Sequence, residues 1–328
     1  MTDSVRVSPD RAAETSAAQF ASDVQYYLTL QPRQLPSRYL YDALGSALFD
    51  AICHLPWYPI TRAEIRMLAE HGDEILARVS RLSAIVELGG GSGEKLATLV
   101  EAGRRAPTPL DLHLVDVSPS ALVRSARALG SLEKVRVVTH EARYEAGIVD
   151  VRRHRSDAGA TLTLFLGSNI GNFDPPGAHA FLRSIRAALT RGDAFLLGAD
   201  LVKPEAELRL AYDDPLGVTA AFNRNLLVRI NRELGGDFDL DAFRHRAVWN
   251  AEASRVEMHL VSRRDQHVRV AAAELEFDIA EGESIWTESS YKYQPDLVVR
   301  MLREAGFQLL TQWVDRNHGF ALTMAAVG

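Results

Sequence analysis

The sequence predicts a doubly wound α/β fold on a mostly parallel sheet, and three observations carry that expectation. First, the apolar pair Ile85-Val86 meets Glu87 and then the dense turn Gly89-Gly90-Gly91-Ser92-Gly93, after which Leu96, Leu99 and Val100 recur at helical spacing. Strand, tight turn and helix start, in that order, open a sheet of this kind. Second, Leu112-His113-Leu114-Val115-Asp116 reads as a strand ending in an acid. Third, the apolar run Thr161–Leu166 feeds Gly167-Ser168-Asn169-Ile170-Gly171-Asn172, a polar turn at the end of a buried strand.

The glycine turn narrows the ligand. A dinucleotide site needs G-x-G-x-x-G/A with a helix N-terminus facing pyrophosphate. Counted from Gly89, the sixth position is Glu94, a poor neighbour for that group. The spacing fits E-x-G-x-G-x-G from Glu87 instead, the nucleoside-binding turn of Rossmann-like methyltransferases, whose cofactor S-adenosylmethionine carries no phosphate. Asp116 then stands where a carboxylate can accept both ribose hydroxyl protons. Other Rossmann-like folds with a glycine turn and an incidental Asp remain open on these two features alone.

Composition excludes several classes. The chain has 328 residues, 47% hydrophobic and 24% charged, as in soluble globular proteins. A net charge of -6 argues against nucleic-acid binding, which calls for a basic face. Cys53 is the lone cysteine, so an internal disulfide and a cysteine-based metal cluster are ruled out. No apolar run approaches the roughly 18–20 residues of a membrane span. Residues 1–18 have no hydrophobic signal core and read as a polar, mobile tail. A cytoplasmic enzyme is expected.

In order, Phe20 to Gln34 suggests a helix and a loop, and the aromatic-rich stretch from Pro36 to Glu64 follows, with Gly45 breaking the chain direction and Pro56 and Pro59 stopping helices. Within it Tyr41, Phe49 and Tyr58 could be core aromatics. Thr61 to Ala77 reads as an amphipathic helix. Ser118 to Leu129 is a helix with Ser118 as N-cap and Pro119 at its first position. Val135 to Val138 is a third strand, with His140-Glu141-Ala142-Arg143-Tyr144 at its carboxyl edge. Pro175 opens a helix reaching Leu189, and Ala194 to Gly198 is a fifth strand closed by Asp200. Near the C-terminus, a helix from Asp296 to Ala305 precedes strands Phe307–Val314 and Phe320–Ala325, the antiparallel hairpin that ends methyltransferase sheets.

Residues 201–290 are then an insertion. Glu205 to Leu234 looks helical, with Tyr212 and Asn223-Arg224-Asn225 inside it, and Ala247–Trp249, Val256–Val261 and Val268–Val270 alternate like antiparallel strands. The charge alternation from Glu281 to Tyr293 fits a solvated strand edge. The expected organisation is a tail (1–18), an N-terminal segment packing with the substrate domain (19–60), a Rossmann-like class I methyltransferase domain (61–200 and 291–328) and an inserted α+β substrate-binding domain (201–290).

Taken together, Tyr41-Asp42-x-x-Gly45-Ser46-Ala47-Leu48-Phe49, Leu55-Pro56-x-Tyr58 with Thr61-Arg62-x-Glu64, Glu87-Leu88-Gly89, Ile170-Gly171-Asn172, Ala211-Tyr212-Asp213-Asp214 with Phe222-Asn223-Arg224-Asn225, and Glu288-x-Ser290-x-Lys292 resemble the histidine Nα-methyltransferases of ergothioneine biosynthesis. The resemblance implies that Asn172, Tyr58 and Tyr41 surround the substrate amino group, and that Tyr212 with Asn172 holds its carboxylate. It implies that Glu288 and Ser290 face the imidazole, Met258 lines that pocket and Phe49 closes over the site. Tyr41, Gly89, Gly91, Lys95, Asp116 and Glu141 would contact the cofactor. The implied product is trimethylhistidine (hercynine), with S-adenosylhomocysteine released at each step, from a monomer acting on a free amino acid.

The residue types suit the chemistry. Methyl transfer from a sulfonium is an in-line displacement with a neutral leaving group, so the task is mainly positioning. Amide and phenol groups orient an amine without holding it protonated, whereas an adjacent carboxylate would favour the cation. Glu288 can accept one imidazole N–H while Ser290 serves the other nitrogen, a pairing that an indole cannot fully use. No metal is expected, since His140, His245, His259 and His318 lack ligand spacing. The chain departs from the family at His140-Glu141-Ala142, where an Asp-Phe pair usually contacts adenine. The runner-up is methylation of another or a modified amino acid. A nicotinamide-dependent oxidoreductase conflicts with Glu94 and the closing hairpin, and a regulatory protein that only binds the cofactor conflicts with the intact Tyr41, Tyr58, Asn172 and Tyr212 set.

Overall fold

The computed structural model describes residues 9–103, 110–154 and 159–327. Helix α1 (Pro9–Leu28) starts inside the stretch expected as a tail, while residues 1–8 lie outside those described. Strand β1 (Arg33–Gln34) and a 3₁₀ turn at Ser37–Leu40 lead to α2 (Ala43–His54), then α3 (Ile60–Ala77). Alternating strands and helices follow: β2 (Leu82–Leu88), α4 (Glu94–Ala102), β3 (Leu110–Asp116), α5 (Pro119–Leu129), β4 (Val135–Glu141), α6 (Tyr144–His154), β5 (Ala160–Phe165), α7 (Pro175–Ala188) and β6 (Ala194–Asp200). Next come α8 (Glu205–Tyr212), α9 (Val218–Leu234), β7 (Phe243–Asn250), β8 (Arg255–Ser262), β9 (Gln266–Val270), β10 (Leu275–Ile279) and β11 (Ser284–Tyr291). The chain closes with α10 (Pro295–Glu304), β12 (Gln308–Asp315) and β13 (Phe320–Ala326).

The chain divides into two compact units. The first comprises Met1–Leu48, Asp213–Val248 and Glu257–Glu288; the second comprises Phe49–Tyr212, Trp249–Val256 and Ser289–Gly328. The second unit holds a seven-stranded sheet in the order β12-β13-β6-β5-β2-β3-β4. β2 pairs in parallel with β3 and β5, β3 with β4, and β5 with β6, whereas β13 runs antiparallel to β6 and β12. Strand order reverses at β2, so a crevice forms outside the carboxyl ends of β2 and β5, where ligands bind in such sheets. Every residue of β5 and β6 is buried, as the apolar runs in the sequence require of central parallel strands. The core on one face gathers Phe165, Phe181, Phe195, Leu197 and Phe307. The predicted five parallel strands and closing hairpin are all present, and Ser118 caps α5 by accepting the Ala121 N–H.

In the first unit, most of a sheet in the order β1-β11-β8-β7 accompanies α1, α9 and the β9-β10 hairpin. Two expectations change here. The helix expected over Glu205–Leu234 is interrupted: Pro215 and Gly217 follow α8, and Asp214 accepts the N–H groups of Leu216, Val218 and Thr219 to start α9 afresh. The stretch expected as a solvated strand edge is an inner strand, since β11 lies between β1 and β8, with Thr287, Glu288, Ser290 and Lys292 all buried. Polar alternation there marks side chains that find partners inside the protein.

Gly45 also behaves differently from expectation. It lies in the first turn of α2, where an added Cβ would stand 1.7 Å from the Leu40 carbonyl oxygen. Close approach of two backbone segments, not a change of direction, is why glycine is required.

Candidate active site

Glu87, the last residue but one of β2, has 1% of its surface exposed, and neither carboxylate oxygen has a hydrogen-bond partner among the described residues. Burial is the largest influence on it; Lys95 opposes, and the charges of Glu64 and Asp116 add, leaving the carboxyl raised to about 7. The turn that follows places Gly89 and Gly91 at φ +74° and +60°, and a Cβ on Gly91 would meet nothing within 4 Å. Tyr144, at the start of α6, brings its hydroxyl beside Gly89.

Asp116 and Glu141 end adjacent strands as register partners. Asp116 accepts the Ser118 N–H at 2.8 Å, and burial raises its carboxyl despite the backbone N–H groups of Ser118 and Val117. Glu141 is exposed. Behind this edge, His113 Nδ1 lies 3.0 Å from His140 Nε2, and His140 Nδ1 lies 2.9 Å from Asp150, so His140 belongs to a hydrogen-bonded chain joining β3, β4 and α6.

Lys95 is held by a partner. Its Nζ sits 2.8 Å from Glu64, whose two oxygens both accept the Gly167 N–H, at 2.9 and 2.7 Å. Burial works against the Lys95 charge, yet Glu64 leaves its pKa raised. The pair therefore ties α3 and α4 to the turn that opens at Gly167 and contains Asn172. Asn172 ends the 3₁₀ turn Asn169–Asn172 and is half-buried.

Tyr58 is buried, edge-on to Phe49 (6.3 Å between ring centroids) and to Tyr212 (6.2 Å). Arg62 fixes the loop before it by donating to the carbonyls of Leu55 and Pro56, both at 2.6 Å. Tyr212 in turn lies 2.8 Å from Ser290 Oγ, and Lys292 Nζ is 2.7 Å from the phenol and 2.8 Å from the serine.

In the first unit Tyr41 packs edge-on to Phe222 at 5.5 Å. Asp42 beside it accepts from Gly45 N–H, Asn225 Nδ2 and Arg232, each at 2.7 Å, which fixes the start of α2. Thr287 Oγ1 reaches both Asn223 Oδ1 (2.6 Å) and the Met258 carbonyl (2.9 Å). Both asparagines of Asn223-Arg224-Asn225 thus act as clamps, one on β8 and β11, the other on Asp42. Because Thr287 is drawn to that side of β11, the alternation of the strand sends Glu288 and Ser290 to the opposite face.

A family model described as histidine-specific, S-adenosylmethionine-dependent methyltransferase matches residues 20–327. The chain belongs to this family. Among its relatives, the histidine N-alpha-methyltransferase of Mycolicibacterium smegmatis is 43% identical over 317 residues, covering 96% of this chain and 97% of the relative. That of Mycobacterium tuberculosis is 41% identical, covering 93% and 94%. Ergothioneine biosynthesis protein 1 of Neurospora crassa is 30% identical, covering 87% of this chain and 32% of that protein.

The turn fits the family's cofactor. A buried carboxylate without a hydrogen-bond partner, Glu87, complements a cationic methionyl group; the open space at Gly91 leaves room for a ligand; and Asp116 complements a ribose diol. Of the expected residues, the second unit holds Phe49, Tyr58, Gly89, Gly91, Lys95, Asp116, Glu141, Asn172, Tyr212 and Ser290, and the first holds Tyr41, Met258 and Glu288. Sequence reasoning assigned no role to Glu64, Asp200 or Lys292. Their signal was present, as charged residues flanked by apolar or aromatic neighbours, and of the three only Lys292 lies in a stretch whose pattern reads as a solvated edge.

Proposed function

We propose that this enzyme methylates the α-amino group of L-histidine three times, using S-adenosylmethionine, to give hercynine. The observation that carries this is the family match over nearly the whole chain, joined to a buried Glu288 on the same strand face as Ser290. When bound, S-adenosylmethionine supplies a methyl group on sulfonium, and the protein arranges what receives it.

Asn172, Tyr58 and Tyr41 orient the amine by amide and phenol contacts, which leave its lone pair unprotonated and aimed at the methyl carbon. Tyr212 and Asn172 hold the carboxylate. Glu288 accepts one imidazole N–H, Ser290 serves the other nitrogen, Met258 lines the ring pocket and Phe49 covers the site. Gly89, Gly91, Asp116 and Glu141 contact the cofactor with Tyr41, and Lys95 acts there through its hold on Glu64 and the Gly167 turn. The organisation into an N-terminal segment, a methyltransferase domain and an inserted substrate-binding domain belongs to the same proposal. So does a cytoplasmic monomer that engages no nucleic acid, in keeping with the net charge of -6.

Mass spectrometry of incubations with S-adenosylmethionine and histidine, tryptophan or tyrosine tests the proposal. A gain of three methyl groups on histidine alone is expected. Methylation of a different amino acid, or none, overturns it.

A further inference from the structure

Lys292 has no exposed side-chain surface, and its ammonium meets three acceptors: Asp200 Oδ2 at 2.9 Å, Tyr212 Oη at 2.7 Å and Ser290 Oγ at 2.8 Å. The three protons of the ammonium match these three oxygens. Asp200 is shared, since Lys203 Nζ lies 2.6 Å from its other oxygen. Two ammonium groups therefore bracket one carboxylate, and the hydroxyls of Tyr212 and Ser290 bring no charge of their own. Burial pushes the Tyr212 phenol up against the pull of Lys292, so it stays neutral, and Asp200 keeps Lys292 cationic despite burial. The cluster holds one positive charge in excess at a place where an uncompensated charge is costly.

We propose that Lys292 supplies the charge that holds the α-carboxylate of the amino-acid substrate, acting through Tyr212 as a positioning residue. Resting on the proposed function, this adds a charge selection to it. Because Lys292 donates to the phenol oxygen, it turns the phenol proton away from itself, and with Ser290 donating across the 2.8 Å contact to Tyr212 that proton is left for an anion, for which the field of Lys292 strengthens the phenol as a donor. A neutral carbonyl in place of the carboxylate would still accept a hydrogen bond but would leave the surplus charge unanswered.

Calorimetry on the enzyme loaded with S-adenosylhomocysteine, titrated with histidine and with histidine methyl ester, tests this. The wild-type enzyme should prefer the acid by at least tenfold. In Lys292→Met the preference should shrink below threefold, with S-adenosylhomocysteine binding within twofold of wild type. A wild-type preference near unity overturns the proposal without any variant; should Lys292→Met not fold, Lys292→Gln, which keeps an N–H donor for the buried oxygens but removes the charge, should show the same collapse of the preference, and a folded Lys292→Gln that keeps it overturns the proposal. Retention of the preference in a folded Lys292→Met protein also overturns it. Mass spectrometry of the same wild-type preparation separates the two ideas: absence of histidine methylation sinks the proposed function, whereas methylation without acid preference sinks only the role of Lys292.

Discussion

A Cβ on Gly90 would stand 2.3 Å from Oε2 of Glu87, so the glycine turn is pressed against the carboxylate that precedes it. Residue choice at 90 and the position of the Glu87 carboxylate are thereby one constraint. In Gly90→Ala that carboxylate must move within a packed interior, at a cost of about 1–3 kcal/mol. Urea unfolding should register that loss, and S-adenosylhomocysteine affinity should fall at least fivefold by calorimetry. Unchanged stability and affinity would show that the carboxylate relocates freely.

The ionisation of Glu87 sets a pH dependence. Its carboxyl is raised to about 7, first by burial, with Lys95 opposing and Glu64 and Asp116 adding. The folded state then binds the proton more tightly than the unfolded chain, so this group's contribution is fully present below about 4.5 and is lost as pH rises through about 7. The loss amounts to roughly 3 kcal/mol at 1.36 kcal/mol per unit. Glu87→Gln has no such loss, so relative to wild type the cofactor-free variant should gain stability between pH 4.5 and 8. Denaturant midpoints at both pH values measure it; a pH-independent difference would refute the assignment.

Glu64 and Lys95 should behave as a unit. Lys95→Met removes the cation held against a carboxylate that is itself fully buried, and breaking such a pair costs about 3–5 kcal/mol. Adding Glu64→Gln should recover most of that loss, because the remaining carboxamide can still accept from Gly167. Equal destabilisation in the single and double variants, by chemical denaturation, would mean that the ion pair does not dominate.

Much of this was legible in the sequence. Apolar runs of buried parallel strands, a Ser-Pro helix start and the turn after Glu87 carry their own periodicity or backbone chemistry, so the sheet of the second unit followed from local signals. Long-range pairing is not local. Nothing in the spacing of Glu64 announces Lys95, and the alternation around Glu288 has the same form whether a strand lies at an edge or between two others. Here β1, only Arg33–Gln34, covers β11 and turns an apparent edge into an interior. The break between α8 and α9 was readable, since Asp214-Pro215-x-Gly217 combines a cap, a stop and a turn, but helical periodicity on either side masked it. Resemblance gathered the candidate site residues, while the structure supplied the reasons for their neighbours: Asp42, Gly45, Arg62, Asn223 and Asn225 hold backbone or other side chains in place.

Glu288 offers the sharpest test of substrate choice. It is 9% exposed, and Thr287, tied to Asn223 and Met258, sends it to the strand face shared with Ser290. A carboxylate at that place can accept an imidazole N–H as a charge-assisted hydrogen bond. Glu288→Gln keeps the shape and one carbonyl acceptor but removes the charge, so the bond to the ring weakens from charge-assisted to neutral. The expected result is a fall in kcat/KM for histidine of about tenfold to a hundredfold, mostly through KM, because the ring is remote from the methylated nitrogen and contributes binding that is equal in ground and transition states. Steady-state kinetics on both proteins check it. A fall carried by kcat alone would place Glu288 at the reacting amine, and no change would remove it from the substrate altogether.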